Sequence, residues 1–417
     1  MHSNPSAIPI LFTHFGDDWI RGSERCLLDL LSHLDRSRFT PVVWCNSPRL
    51  AAALAALNAP LVVQLSSFPL LFGWQAPRAD WRGYRRLKRE GRALIRREQI
   101  QLLHANSGAP CQWLSSLARE LHLPLLAQLH ARYLLRERCT LRLHQVSLAV
   151  GVSQPVLTGL RADGMSESRL RVIANGLDLK RLDAQRAPDL RQQLQLAPHE
   201  RLLATVGSLI PRKGVDLLLR MLQRLRLDGY PVHLVVLGDG PQRTELQMLA
   251  VQLGVQAWVH WLGEQPEPVG LLRAGVDLYV SGAREEVFGL VLAEAGSAGL
   301  AVVAPRVGGI AEVVLDRVSG LLVPTEAPLA LATAVRQLLD QPAWAAQMGA
   351  AGRSRVEQLF TAQLNAERLQ QCYQQLLVQP ALEPASTHWR ACWRWLGRML
   401  WRRLGGRPML STEEIWQ

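Results

Sequence analysis

The sequence predicts two successive α/β domains, each built on a parallel sheet with helices on both faces. Short apolar runs alternate with stretches of helical periodicity over residues 8–174. The alternation stops in a polar, proline-containing stretch at 180–200 and begins again at residue 201. Buried parallel strands appear as short apolar runs separated by crossover helices. The pattern is therefore typical of a doubly wound sheet on each side of a linker.

Apolar runs of four to eight residues mark the predicted strands of the first half. The first run, 8–15, is followed by a loop that contains Gly16 and Gly22. Leucines at helical spacing between Leu27 and Leu34 then predict a helix. Further strands are predicted at residues 41–45, 61–65, 100–105, 125–130, 146–152 and 171–174.

The second half repeats the pattern with a strand at 201–206 and a helix at 215–227. Further strands are predicted at 232–237, 276–280 and 301–304. We therefore predict three segments. They are an N-terminal domain at 1–180, a C-terminal domain at 181–385 and a separate tail at 386–417.

The chain is basic, with 47 Lys and Arg against 35 Asp and Glu in 417 residues and a formal net charge of +12. Its hydrophobic share of 48% excludes an intrinsically disordered chain. The charge is concentrated. Residues 78–97 hold nine basic against two acidic side chains, and residues 388–417 hold six against two. Such faces are typical of proteins that meet nucleic acid, an anionic membrane or a phosphorylated small molecule.

The tail predicts a basic amphipathic helix over 388–404. One side carries Trp389, Cys392, Trp393, Leu396, Met399, Leu400 and Leu404, and the other carries Arg390, Arg394, Arg398 and Arg402. Tryptophans at the rim of a basic helix are typical of a helix that lies in a membrane interface. A terminal helix packed on the protein core is the alternative.

The six cysteines are scattered and form no C-x-x-C pair, which predicts reduced thiols. The N-terminus lacks the basic and apolar regions of a signal peptide. No apolar run reaches the ~18 residues of a membrane span. We expect a cytoplasmic protein.

Two carboxylates, Glu286 and Glu294, form the strongest chemical motif. Phe288 and Gly289 follow the first of them directly. If a helix begins at the Gly289 turn, its main-chain N–H groups favour an anion such as a diphosphate. Glu294 lies further into that helix, where it could reach sugar hydroxyls.

In this context the sequence resembles family 4 of the retaining glycosyltransferases, which have the two-domain GT-B fold. The resemblance extends to about residue 377. The stretches that carry it are 104–106, 128–130, 151–153, 172–178, 206–216, 236–241 and 276–324. It implies two Rossmann-like domains that face each other across a cleft. The domain at 1–180 would bind the acceptor, and the domain at 181–385 would bind the nucleotide sugar.

The resemblance also implies residue roles. Arg212 and Lys213 would neutralise the donor diphosphate, Glu294 would bind the ribose, and Glu286 and His130 would contact the transferred sugar. The implied donor-binding set also includes Ser208, Gly238, Phe288, Gly289 and Leu290. The implied acceptor-binding residues are Gly16, Arg21 and Gly22.

Two residues depart from the family pattern. Ser208 stands where the family commonly has arginine, so one phosphate cation is missing. Arg21 replaces a glycine of the acceptor loop, where it either adds a charge for an anionic acceptor or narrows the loop. The sequence contains no D-x-D. The resemblance implies catalysis without a metal or other cofactor, with departure and attack on the same face of the sugar.

The sequence therefore predicts a metal-independent, retaining hexosyltransferase. The expected donor is a nucleotide sugar, a UDP-sugar before GDP-mannose. The expected acceptor is a lipid-linked or phosphorylated glycan of bacterial envelope polysaccharide, lipopolysaccharide or glycolipid synthesis. We expect a peripheral location on the inner face of the cytoplasmic membrane and no nucleic-acid partner. The alternatives are a catalytically silent relative that acts as a partner subunit and a sugar-nucleotide epimerase.

Overall fold

The chain divides into two compact units, each with an all-parallel sheet. The computed structural model describes residues 7–57, 61–71, 80–378, 390 and 392–393. The first unit takes residues 1–176 and 362–417 of the chain, and the second takes 177–361. Helices alternate with strands in both units, which confirms the predicted class of two doubly wound α/β domains.

The first unit has a seven-stranded sheet in the order β3-β2-β1-β4-β5-β6-β7. Its strands are β1 (Ile8–His14), β2 (Phe39–Cys45), β3 (Val62–Leu65), β4 (Leu102–Ala105), β5 (Leu125–Leu129), β6 (Leu148–Gly151) and β7 (Leu170–Val172). Its first six helices are α1 (Gly22–Ser32), α2 (Pro48–Ala55), α3 (Trp81–Arg97), α4 (Cys111–Leu121), α5 (Leu135–Thr140) and α6 (Gln154–Ala162). The strand order reverses between β1 and β4. In open α/β sheets, ligands bind at the carboxyl ends of the strands at such a point.

The second unit has a six-stranded sheet in the order β10-β9-β8-β11-β12-β13. Its strands are β8 (Arg201–Val206), β9 (Val232–Leu237), β10 (Val259–Gly263), β11 (Leu278–Val280), β12 (Ala301–Pro305) and β13 (Gly320–Val323). Its helices are α7 (Leu179–Ala184), α8 (Leu190–Gln193), α9 (Val215–Leu227), α10 (Arg243–Gln252), α11 (Pro268–Arg273), α12 (Leu290–Ser297), α13 (Ile310–Val313), α14 (Pro328–Asp340) and α15 (Pro342–Leu359). Here the order reverses between β8 and β11.

The last long helix, α16 (Ala362–Val378), belongs to the first unit. Its residues Leu369, Tyr373 and Leu376 share a buried core with Phe12 of β1 and Leu27 of α1. The prediction of one C-terminal domain at 181–385 is therefore wrong for this helix, because its apolar face covers the first sheet. The units change after residue 176, four residues before the predicted boundary. The predicted linker at 180–200 instead begins the second unit with α7 and α8.

The predicted membrane-surface tail at 386–417 lies outside the described residues, apart from Arg390, Cys392 and Trp393. Cys392 packs against Leu135 and Cys139 of the first unit, and Trp393 is 69% exposed. Among the described helices, none combines the length and apolarity that crossing a bilayer requires.

A buried histidine makes the first unit sensitive to acid. His104 of β4 is fully buried and lies 2.7 Å from the Tyr373 hydroxyl. Burial lowers the pKa of His104 to about 3. A folded-state pKa below the unfolded value of about 6.5 means that stability is lost as pH falls below about 6.5. We expect this residue alone to lower the free energy of unfolding by about 2 kcal/mol between pH 7.5 and pH 5.

Urea unfolding of the wild type and of His104→Gln at the two pH values tests this expectation. The glutamine variant should lose less stability than the wild type on going from pH 7.5 to pH 5, whatever its absolute stability. An identical loss in both proteins would contradict the assignment.

Candidate functional site

The main candidate site lies at the carboxyl edge of the second sheet, where its strand order reverses. The turn after β8 and the loop after β11 meet here and line a hollow. The residues of this hollow that concern the site are Gly207, Ser208, Lys213, Tyr279, Ser281 and Glu286. The structure thus brings together residues from two motifs that lie some 70 positions apart in the sequence.

Two glycines let the turns after β8 and β9 approach each other. Gly207 and Gly238 have φ values of +148° and +150°, which favour glycine. A Cβ on Gly238 would lie 1.9 Å from the Gly207 carbonyl oxygen, a distance that no side chain can take. The predicted donor residue Gly238 therefore supports the floor of the hollow through its lack of a side chain.

Lys213 and Glu286 form the charged centre of the hollow. The Lys213 Nζ lies 2.6 Å from the Glu286 Oε2, and both side chains are mostly shielded from solvent. The other carboxylate oxygen of Glu286 accepts a hydrogen bond from its neighbour's main-chain N–H at Val287, 3.1 Å away. A half-buried ammonium fixed by a carboxylate offers a preorganised cation to an anionic ligand.

The main chain of Glu286 is held by the turn after β12. The Gly309 N–H donates to the Glu286 carbonyl oxygen at 3.0 Å. Gly308 has φ +55°, and a Cβ there would lie 1.7 Å from that same oxygen. Glycine at this position is what allows the contact.

Arg284, which sequence reasoning missed, ties the cationic turn to the loop that carries Glu286. Its guanidinium binds both carboxylate oxygens of Asp216 at 2.7 and 2.8 Å and donates to the Pro211 carbonyl at 3.0 Å. Its main-chain N–H donates to the Arg212 carbonyl at 2.8 Å. Arg284 therefore sets the position of the 3-10 turn that presents Lys213.

The helix α12 opens at this edge, as the motif predicts. Gly289 caps it with φ +103°. The Gly289 carbonyl accepts from the main-chain N–H groups of Leu292 and Ala293 at 3.0 and 3.1 Å. The preceding N–H groups, of Leu290 and Val291, have no acceptor one turn earlier in the helix. Phe288 is buried and packs edge-on against Phe360 at 5.6 Å between ring centroids. A ligand would therefore meet Phe288 only through its main chain.

Three further predicted donor residues have distinct placements. Ser208 lines the hollow. Glu294 lies near Tyr279. Burial raises the pKa of Tyr279, and the Glu294 and Glu286 carboxylates act in the same direction. Arg212 is exposed, and no side chain among the described residues pairs with its guanidinium.

The predicted residues of the first unit gather at its own strand reversal. His130 follows β5, and its Nε2 lies 3.3 Å from the Oδ1 of Asn106, which follows β4. Burial lowers the pKa of His130 to about 4, so its imidazole is neutral at pH 7. Asn106, like Arg284, was not predicted. Its position after strand β4, directly beyond His104 and Ala105, is the signal that could have found it.

The predicted acceptor loop joins β1 to α1. Gly16 exchanges main-chain hydrogen bonds with the Asn46 side chain at 3.1 and 2.8 Å. Arg21 and Gly22 are exposed, and the Arg21 guanidinium carbon lies 3.6 Å from the centre of the Trp19 ring. The loop therefore presents a cation stacked on an aromatic face.

Two family models match the chain. One, described as Glycosyltransferase Family 4, matches residues 20–181, and the other, described as Glycosyl transferases group 1, matches residues 187–355. Together they cover most of both units.

Curated relatives match about half of the chain. A D-inositol 3-phosphate glycosyltransferase of Segniliparus rotundus is 32% identical over 52% of this chain and 49% of its own length. A GDP-mannose-dependent alpha-(1-6)-phosphatidylinositol monomannoside mannosyltransferase of Mycolicibacterium smegmatis is 38% identical over 36% of this chain and 41% of its own. The chain thus spans about half the length of the curated relatives that it matches, or somewhat less.

Solved structures match over a longer range. Anabaena HepE in complex with UDP-glucose is 23% identical, with a TM-score of 0.74 over 88% of this chain and all of that one. At this identity the likeness shows the fold. Together with the two family models, it establishes that the chain belongs to the family 4 glycosyltransferases with the GT-B fold.

Proposed function

We propose that this protein transfers a hexose from a nucleotide-sugar donor to a lipid-linked or phosphorylated glycan acceptor. The observation that carries the proposal is the Lys213–Glu286 pair, 2.6 Å apart at the strand reversal of the second sheet and beside the open end of α12. A cation and a helix N-terminus at one edge suit a diphosphate, and a fixed carboxylate beside them suits a sugar hydroxyl.

The leaving group decides the chemistry of this site. As the sugar departs, negative charge grows on the diphosphate, and Lys213, Arg212 and the N–H groups of α12 stabilise it more than they stabilise the bound donor. We propose that this replaces a metal ion and that no cofactor takes part. Glu286 then orients the sugar for attack on the face from which the diphosphate leaves, with retention of configuration.

The donor nucleotide is proposed to be UDP before GDP. Anabaena HepE has been solved with UDP-glucose, whereas the mycobacterial relative uses GDP-mannose, and Glu294 is the proposed ribose ligand for either. A thermal-shift panel with UDP, GDP, ADP, CDP and dTDP tests this. A nucleotide at about a hundred times its Kd stabilises by about 2.7 kcal/mol, a shift of roughly 5–10 °C.

Glu294→Ala should weaken binding of the active nucleotide roughly 30- to 150-fold, because hydrogen bonds from ribose hydroxyls to a carboxylate contribute about 2–3 kcal/mol. Titration calorimetry measures the Kd. The matched control is Glu357→Ala, an exposed helical glutamate of the same unit. Equal affinity of Glu294→Ala and the wild type would contradict the ribose role.

The same assays separate the alternatives. Absence of any nucleotide shift would favour a catalytically silent relative. Conversion of the sugar nucleotide without an acceptor would favour an epimerase.

Helix α3 supports an acceptor that is reached at an anionic membrane surface. Its exposed face carries four arginines that pair with no side chain among the described residues, namely Arg82, Arg85, Arg89 and Arg96. The opposite face of the helix is buried. A Cβ on Gly91 would lie 2.7 Å from the Trp44 ring, so the helix sits close against the sheet. A rigid row of arginines about 21 Å long fits an anionic membrane surface, and we propose attachment to the inner face of the cytoplasmic membrane.

Substitution of Arg82, Arg85 and Arg89 by glutamine should weaken binding to phosphatidylglycerol vesicles roughly 100-fold. Each basic residue near an anionic bilayer contributes about 1 kcal/mol. Cosedimentation with vesicles measures the partition. The control replaces three exposed arginines of the second unit, Arg220, Arg306 and Arg317, for the same change in net charge. Equal loss in both triple variants would show that only net charge matters and would contradict a docking face on α3.

A further inference from the structure

Four buried or half-buried polar side chains form a continuous row at the strand reversal of the first sheet. The His14 Nε2 lies 2.7 Å from the Glu24 Oε1, and the His14 Nδ1 lies 3.0 Å from the Asn106 Nδ2. The Asn106 Oδ1 lies 3.3 Å from the His130 Nε2. The row joins the ends of β1, β4 and β5 to the first turn of α1.

The direction of each hydrogen bond in the row follows from one carbonyl. The Asn106 Nδ2 lies 3.1 Å from the Ser23 carbonyl oxygen, which can only accept, so this atom is the amide nitrogen. It therefore donates its second hydrogen to the His14 Nδ1, which must be unprotonated. The proton of His14 is then on Nε2 and is donated to Glu24.

The same logic fixes His130. The Asn106 Oδ1 can only accept, so the His130 Nε2 carries a hydrogen and donates it. The other nitrogen, Nδ1, has no hydrogen-bond partner among the described residues, and the residue is partly exposed. In the neutral ring this Nδ1 is an acceptor. All three bonds of the row thus point from His130 toward the Glu24 carboxylate.

Glu24 supplies the charge at the end of the row. Although burial opposes ionisation, the hydrogen bonds from His14 and from the Arg21 main chain keep the pKa of Glu24 below its ordinary value. An ionised carboxylate favours the orientation in which every donor faces it. Gly16 leaves room for this pair, because a Cβ there would lie 2.8 Å from both Glu24 Oε1 and His14 Nε2.

We propose that Asn106, His14 and Glu24 are positioning residues that hold His130 in one tautomer, with Nδ1 free to accept a hydrogen bond from a hydroxyl of the transferred sugar. This inference rests on the proposed function, in which His130 contacts that sugar. The row acts as the orienting partner that a functional histidine needs on its second nitrogen.

The pKa of His130 depends on the titratable side chains that face it. These are His14 on β1, Glu24 on α1 and His104 on β4. Asn106→Asp places a carboxylate against the His130 Nε2 and stabilises the imidazolium, so the pKa of His130 should rise by about 1–3 units. A protonated Nδ1 cannot accept a hydroxyl. The acid limb of kcat/KM should therefore move to higher pH by a similar amount.

Nitrogen-15 spectra of the histidine rings test the tautomer without any substrate. The His130 signals are assigned by their loss in His130→Gln. In the wild type at pH 7 we expect an unprotonated Nδ1 and a protonated Nε2. Asn106→Ala should replace this with averaged signals of both tautomers. In Asn106→Asp the imidazolium signals should appear as the pH is lowered to about 5, above the pH at which the wild-type ring, with a pKa of about 4, becomes protonated. A protonated Nδ1 in the wild type, or signals that neither variant changes, would overturn the proposal.

Kinetics give the second readout. Asn106→Ala should lower kcat at least about tenfold, the cost of a single misplaced hydrogen bond of about 1.4 kcal/mol. The matched control is Tyr373→Phe. It removes a buried hydrogen bond to His104 in the same unit without touching the row. The control should lose stability but keep the wild-type tautomer and pH profile, and an acid limb shifted equally in Tyr373→Phe and Asn106→Asp would overturn the proposal.

The two hypotheses fail in different ways. Absence of transfer by the wild type with every donor would contradict the proposed function, and the ring spectra would still decide the tautomer. Normal transfer by the wild type with an unshifted acid limb in Asn106→Asp would overturn the positioning role alone.

Discussion

Lys213→Ala is expected to lower kcat at saturating donor at least about a hundredfold. The ammonium lies 2.6 Å from Glu286 in a half-buried hollow, where its charge is fixed before the donor arrives. Removal of one preorganised donor to a developing negative charge typically costs 10²–10³-fold in kcat, or about 2.7–4 kcal/mol. The loss should fall on kcat more than on KM, because the charge on the diphosphate grows only as the sugar departs.

The substitution has a second consequence. Without the cation, Glu286 remains as an uncompensated carboxylate in the hollow and repels the diphosphate. Lys180→Ala, an exposed lysine of the same unit, is the matched control and should behave as wild type. Steady-state kinetics of transfer measure the effect. A change confined to KM would show that Lys213 binds donor and transition state equally and would contradict the leaving-group argument.

Most strands could be predicted because they are buried on both faces. β8 and β9 were predicted to the residue, since each is a mainly apolar run that is followed directly by a glycine, Gly207 or Gly238. β10 and β13, the two edge strands of the second sheet, were missed. β10 is only half-buried beyond Val259 and contains His260, and β13 begins with Gly320.

The boundary between the units was harder to predict, because the apolar periodicity of a helix does not show which sheet the helix packs against. The sequence of α16 does not show which domain it packs on, and only the fold shows that Tyr373 contacts the rings of Phe12 and Phe39 in the first unit. A helix that follows one domain in sequence can complete the core of the other. No local pattern distinguishes these cases.

The sequence predicted those residues of the candidate site that lie in its recognisable motifs. Lys213, Glu286 and Gly289 lie in stretches that resemble the family, and the structure gathers them at one sheet edge. Arg284 and Asn106 were missed because their roles depend on partners far away in sequence, Asp216 and His14. The position of each residue shortly after a strand is a signal in the sequence, but the role of the side chain appears only when the fold supplies its partner.

Gly308→Ala is expected to destabilise the second unit by roughly 2–5 kcal/mol. A residue with a side chain at φ +55° costs about 1–2 kcal/mol, and overpacking adds about 1–3 kcal/mol. The added methyl group would lie 1.7 Å from the Glu286 carbonyl, so the loop must move. For a unit of this size the transition should fall by roughly 4–20 °C, which differential scanning calorimetry measures.

A control variant separates the effect of the close contact with the Glu286 carbonyl from the effect of the positive φ angle. Gly254→Ala is the matched control, because its φ is +70° but no heavy atom lies within 4 Å of its Cβ. It should cost only about 1–2 kcal/mol and leave transfer intact. Gly308→Ala should in addition lose turnover below its transition temperature, because the loop that shifts is the one that presents Glu286 to Lys213. Equal destabilisation of the two variants would mean that the turn after β12 does not support the site.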